Sequence, residues 1–266
     1  MVEIKPIRKI SGELVTSIGS KQLDFQHSNL DDLFDKFVIF IDGSPNTVRT
    51  YRTSLKQWFI YMKEKGITHP DPDTVRQYRE FLKASGKKPT TIQNYIVAVK
   101  CFFEWTEEEQ LYPNIARYVK GAKIGKNFKK DYLTSKQAKK VLQDIDQSAL
   151  IGKRNYAMLA LMLTMGLRTI EVSRANIEDI RTSGDATVLY VQGKGHIEKD
   201  AVVRMPEHVE EALRASLSER KASDLKQPLF ASTSNNNAGK RLTTRSISGI
   251  VKHAFISAGF NSPKLT

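Results

Sequence analysis

The chain has 266 residues, with 42 Lys plus Arg against 29 Asp plus Glu, for a formal net charge of +13. Its length leaves room for two domains, and 40% hydrophobic with 27% charged residues supplies enough apolar material for a core in each, which excludes collagen-like, mucin-like and wholly disordered chains. A single cysteine, Cys101, excludes an internal disulfide and a cysteine-based zinc site. The opening residues hold no signal-peptide-like apolar stretch, and the longest apolar run, near Tyr156–Met165, is too short to span a membrane. The expected location is therefore the cytoplasm, and the strong positive charge favours a polyanionic partner, most often nucleic acid.

Residues 1–30 are mixed polar without a sustained period and read as an N-terminal arm. Leu33, Phe34, Phe37, Val38 and Ile41 then fall on one helical face, and Asp42-Gly43 ends that helix. Ser44-Pro45 opens a second helix with the stripe Tyr51, Leu55, Trp58, Phe59 and Met62. Asp71-Pro72 opens a third, with Val75, Tyr78, Phe81 and Leu82 expected to face inward. Lys87-Lys88-Pro89-Thr90 opens a fourth, with Ile92, Tyr95, Ile96, Val99, Phe102 and Phe103 on its apolar face. Residues 31–119 thus read as an all-helical domain of four or five helices, with the aromatic residues Trp58, Phe59, Phe102, Phe103 and Trp105 in its core.

Residues 120–131 are rich in lysine and glycine and read as a basic linker. From 132 to 266 the pattern becomes α+β. Thr134 and Gln137 form a capping-box pattern, and a helix over about Gly152–Met165 is apolar nearly all round. The β-prone runs Ala186–Val191 and Ala201–Met205 flank a glycine- and lysine-bearing hairpin tip, and helices resume near Pro206–Ala222 and Thr243–Ala258.

No H-E-x-x-H, phosphate-loop lysine or G-x-S-x-G motif is present, the five histidines lack ligand spacing, and no metal or other cofactor is expected. What remains is basic chemistry. Gly166 ends the apolar helix and exposes Arg168, with Glu171 at i+3 to orient it, and a guanidinium so held can bridge two phosphate oxygens. Lys194 sits between Gly193 and Gly195 at the hairpin tip, where a backbone can approach a ligand closely. Taken alone, the first pattern also reads as an ordinary helix-terminal ion pair, and the second as a solvated turn. Lys199 and Arg204 read as surface charges. Candidate phosphate contacts are Arg49, Lys87, Lys88, Thr90 and Lys100 in the helical half, and Arg241, Thr243, Thr244 and Arg245 at the opening of the last helix.

The segment LMLTMGLRTIEVSRANIEDI at 161–180, followed by VLYVQGKGHIEKDAVVRMP at 188–206, resembles the tyrosine-type site-specific recombinases, the phage-integrase and Xer-like family. Thr47 and Tyr51 in a T-x-x-x-Y pattern, Thr91 and Tyr95 in T-I-x-x-Y, and Leu133-Thr134 extend the likeness over roughly residues 31–266. The resemblance implies an N-terminal all-α core-binding (SAM-like) domain and a C-terminal α+β tyrosine-recombinase catalytic domain. It implies cutting and rejoining of DNA through a 3′-phosphotyrosine intermediate, with Arg168 as a phosphate clamp, Lys194 as general acid and Glu171 as the support of Arg168. Its implied partner is double-stranded DNA with inverted-repeat core sites, gripped from two sides by the two halves and worked on by a tetramer. The family also uses an H-x-x-R box, a later histidine or tryptophan and a tyrosine nucleophile. The 266 residues contain no H-x-x-R box and no tyrosine after Tyr190. The expectation is of a catalytic domain cut off before those residues, as a fragment or a truncated product, that binds DNA without cleaving it. A non-catalytic DNA-binding protein of recombinase origin, an RNA-binding protein and a type IB topoisomerase stand as alternatives.

Overall fold

A computed structural model describes residues 30–125, 131–262 and 265 of the chain. Residues 1–29 of the expected arm and residues 126–130 of the lysine linker lie outside the described residues. The chain divides into two units, Met1–Lys126 and Asn127–Thr266.

The first unit is helical among its described residues: α1 Leu30–Ile41, α2 Pro45–Glu64, α3 Pro72–Ala84 and α4 Pro89–Glu108. Their starts are set locally. Ser44 Oγ accepts a hydrogen bond from Thr47 N at 3.3 Å, with Pro45 in the first helical position. Asp71 and Thr74 cap each other reciprocally, Thr74 N donating to Asp71 Oδ1 at 2.7 Å and Asp71 N donating to Thr74 Oγ1 at 3.1 Å. The Thr74 amide foremost, and then the Thr74 hydroxyl, which donates to the same Oδ1 at 2.7 Å, hold the Asp71 carboxyl below the usual carboxylate range. The core is aromatic. Phe37, Trp58, Tyr78, Phe102 and Phe103 are fully buried, and edge-to-face pairs join Trp58 to Tyr78 and Phe37 to Phe102, with centroids 5.1 and 5.5 Å apart. Phe81 departs from the sequence expectation. It is 39% exposed, its ring resting on Tyr61 at the edge of the core, because the buried stripe of α3 runs through Val75, Tyr78 and Leu82 and leaves position 81 on its margin.

The second unit combines helices with a small sheet. Thr134 and Gln137 form the expected capping box at the start of α5 (Ser135–Gln143). Helix α6 (Leu150–Met165) carries the buried run Ala157–Leu161 and lies along α8 (Glu207–Arg220). Gly166 ends α6 in the left-handed conformation, φ 67°, which a residue with a Cβ adopts only at a cost. The six-residue α7 (Thr169–Arg174) follows. An antiparallel sheet has the order β1-β2-β3, with β1 Ile180–Ser183, β2 Ala186–Val191 and β3 Ala201–Arg204. Leu189 pairs with Ile180 on one side and with Val203 on the other. Strand β2 takes the centre because Val188, Leu189 and Val191 are buried. Strand β1 was not expected from the sequence: its last three residues are exposed, so no alternation marks it. Helix α9 (Thr244–Ser257) closes the unit, burying Ile247 and Phe255. No helix among the described residues is long and apolar enough to cross a membrane.

Candidate catalytic and DNA-binding site

The left-handed turn at Gly166 brings the chain from a buried helix directly to the surface. Leu167 is buried and Arg168 is exposed, so one step of backbone separates core from solvent. Arg168 caps the start of α7, and Glu171, one turn on, holds it at two points. Glu171 Oε2 accepts from Arg168 N at 2.7 Å, and Oε1 accepts from Arg168 Nη1 at 3.0 Å. The carboxylate side chain is 7% exposed and the arginine side chain 73%. The acid is thus a buried anchor, and one edge of the guanidinium is fixed while the rest of the fork faces solvent.

The other end of α7 reaches the hairpin. Arg174 Nη1 donates to the carbonyl of Gly193 at 2.9 Å. The next residue is Lys194, exposed at the tip, and no hydrogen bond or ion pair holds its ammonium among the described residues. Gly195 follows with φ 90°, a conformation that turns the chain back sharply. The loop is braced from within. Gln192 Nε2 donates to the carbonyls of His196 and Ile197, at 2.9 and 2.7 Å. His196 Nδ1 lies 2.6 Å from Asp200 Oδ2, and this bond holds the Asp200 carboxyl below its ordinary range. On the returning side Lys199 pairs with the buried Asp179, so Lys199 is an anchor of the hairpin and not the solvated surface charge expected of it.

Arg168 and the hairpin base therefore meet opposite ends of one six-residue helix. At 1.5 Å of rise per residue, the backbones of Arg168 and Arg174 are about 9 Å apart along its axis. Sequence reasoning missed Arg174; nothing local distinguishes it from a solvated helix-terminal arginine.

One residue near the start of α9 departs from its sequence reading. Arg241 does not stand free for a phosphate: its Nη1 donates to the carbonyls of Ser173 and Ala175 at 2.7 and 3.0 Å, and its Nη2 to Asn176. It satisfies the Ser173 carbonyl left open at the end of α7 and shares the Ala175 carbonyl with the Leu229 amide. The Thr243 hydroxyl caps α9, accepting from Ser246 N at 3.1 Å. Thr244 is half-buried and Arg245 exposed at the same helix start. In the first unit, Lys87, Lys88 and Thr90 are exposed together at the start of α4, where Lys88 is the cap residue and makes no side-chain capping bond. Arg49 is exposed on the first turns of α2, and Lys100 is half-buried in the middle of α4. Among the described residues no cluster of three or more His, Cys, Asp or Glu is placed to hold a metal ion.

Residues 32–110 match the phage integrase N-terminal SAM-like domain, and residues 131–266 match the phage integrase family. The chain belongs to the phage integrase family of tyrosine recombinases. The recombinase is 27% identical over 217 residues to tyrosine recombinase XerC of Thermodesulfovibrio yellowstonii, covering 79% of this chain and 69% of that one. Its fold is similar to that of the XerH site-specific recombinase bound to palindromic difH substrate in a post-cleavage complex, with TM-score 0.68 and 20% identity over 90% of this chain and 70% of that one. It is also similar to lambda integrase in a tetramer bound to a Holliday junction, with TM-score 0.60 and 17% identity over 88% of this chain and 68% of that one. The expected pairing of a helical SAM-like domain with an α+β catalytic domain is the fold observed.

Proposed function

We propose that this recombinase acts on double-stranded DNA by tyrosine-type strand cleavage and rejoining, with Arg168 and Lys194 serving one scissile phosphate. In that reaction a tyrosine oxygen bonds to phosphorus as the bond to the 5′ oxygen breaks. The ester formed keeps the bond energy, and the departing oxygen needs a proton. Arg168 would bear the charge that builds on the phosphoryl oxygens, where preorganised donors act most strongly. Lys194, an ammonium on a flexible stem at a glycine-flanked tip, would supply the proton to the 5′ oxygen. Glu171 positions Arg168 and transfers no proton. The observation that carries this reading is the double hold of Glu171 on Arg168, which leaves the arginine side chain 73% exposed on a buried support.

Arg49, Lys87, Lys88, Thr90 and Lys100 in the helical unit, and Thr244 and Arg245 in the catalytic unit, would meet the sugar-phosphate backbone. Inverted-repeat core sites, a tetrameric assembly on DNA and a cytoplasmic place of action complete the proposal. The 266 residues supply neither an H-x-x-R box nor a tyrosine beyond Tyr190, so a polypeptide of this sequence alone should bind duplex DNA without turning it over.

Equilibrium binding to duplex DNA across a salt series tests the proposal. The logarithm of the association constant should fall linearly with log salt, by about 0.9 per phosphate neutralised. A flat dependence rejects this mode of binding, and tighter binding to duplex RNA than to duplex DNA rejects the substrate class.

A further inference from the structure

We propose that the second unit carries an oxyanion pocket near the start of α6, built on Arg154 and Arg220 and fitted to a phosphate group. A cavity of about 300 Å³ lies there, lined by these two arginines, by the hydroxyl residues Ser216, Ser232 and Thr233, and by apolar residues such as Leu229. Arg154 is 7% exposed. Four of its five N–H groups go to neutral acceptors: Nη1 to the Ala231 carbonyl at 3.0 Å and Thr233 Oγ1 at 3.2 Å, Nε and Nη2 to Asn155 Oδ1 at 3.1 and 2.8 Å. Arg220 Nη1 donates to the carbonyls of Pro228 and Leu229, at 2.9 and 3.3 Å. Its Nε and Nη2 are buried without a hydrogen-bond partner.

Neither guanidinium has a carboxylate partner among the described residues, and the neighbouring Glu219 is taken by Lys153 at 2.7 Å. Burial pushes the pKa of both arginines down, the mark of cations held out of water. A buried guanidinium beside a half-buried one whose Nε and Nη2 are sealed from water, with no counter-charge, destabilises the fold unless an anion joins them. Guanidinium forks match tetrahedral oxyanions, and the Thr233 oxygen, while accepting from Arg154, keeps its own proton to donate. A tetrahedral phosphate, which turns oxygens toward two forks and a hydroxyl at once, suits such a pocket better than a planar carboxylate. The pocket is separate from Arg168. Arg154 lies one turn into α6 and Arg168 just past its far end, on the order of 20 Å away at 1.5 Å per residue.

Isothermal titration of the full 266-residue chain with inorganic phosphate, at constant ionic strength, tests the proposal. Saturable one-site binding is expected, weakened about tenfold or more by Arg220→Met and less by Arg220→Lys, which keeps the charge and loses the fork. Arg204→Met, at an exposed arginine of β3 outside the pocket, should leave phosphate binding unchanged. Circular dichroism verifies that each variant folds. Repeating the titration with saturating duplex DNA separates the two sources of the ligand. Retained phosphate binding assigns the pocket to free phosphate, and lost binding assigns it to a backbone phosphate of DNA. Absence of saturable binding, or equal binding by the wild type and both folded Arg220 variants, overturns the proposal.

Discussion

Arg174 holds the carbonyl of Gly193 across nineteen residues of sequence, tying the last residue of α7 to the residue before Lys194. The helix capped by Arg168 is thereby fastened to the hairpin that carries the lysine. Removing the guanidinium with Arg174→Ala should loosen the hairpin while sparing the rest of the unit. Amide hydrogen exchange over residues 193–199 should quicken by about tenfold or more, as loss of a charge-assisted bond implies, and Arg174→Lys should restore part of the protection. Unchanged exchange in that segment would show that the bond does not order the loop.

Glu171 and Arg168 form one pair, but losing either partner has different consequences. Glu171→Ala strips the acceptor from the Arg168 amide and from its guanidinium, and urea unfolding should show a loss of about 1–3 kcal/mol. Arg168→Met removes a mostly exposed side chain, leaves the amide bond to Glu171 in place and should cost less stability. The order reverses for DNA affinity, where Arg168→Met should be the more damaging. Equal stability losses would contradict the division of roles between anchor and clamp.

Gly166→Ala tests the turn that delivers Arg168. A Cβ at this position would meet no atom within 4 Å, so the whole penalty arises from the left-handed backbone. Thermal or urea unfolding should show a loss of about 1–2 kcal/mol. A neutral or stabilising outcome would mean that the chain leaves α6 by a different turn.

Acid should weaken the fold through specific carboxyls. Asp71 and Asp200 have folded pKa values below their ordinary value of 3.8, held there chiefly by the Thr74 backbone amide and by His196. Each contributes stability that is fully present above the unfolded pKa and is lost as pH falls through the folded value. Unfolding of Asp71→Asn as a function of pH should therefore show a shallower loss of stability below about pH 4 than the wild type. Parallel curves would contradict the assigned cap.

The sequence revealed the parts of this structure whose signals are local. The caps at Ser44, Asp71 and Thr134, the glycine stop at Gly166, the aromatic stripes and the G-K-G hairpin each declare themselves within a few residues. The missing parts depend on contacts distant in sequence. Strand β1 exists because Ile180 pairs with Leu189, and its own four residues carry no strand pattern. Arg241 looks the same in sequence whether it faces a phosphate or the end of α7. Arg154 reads as an ordinary member of a helix until Ala231, seventy-seven residues on, accepts its hydrogen bond.

The most direct measurement of the central claim is methylphosphonate interference on a duplex selected for binding, with single backbone phosphates neutralised in turn. The account predicts one phosphate whose neutralisation weakens the wild type but adds nothing to the defect of Arg168→Met or of Lys194→Met. Two different phosphates for the two variants, or none for either, would contradict it.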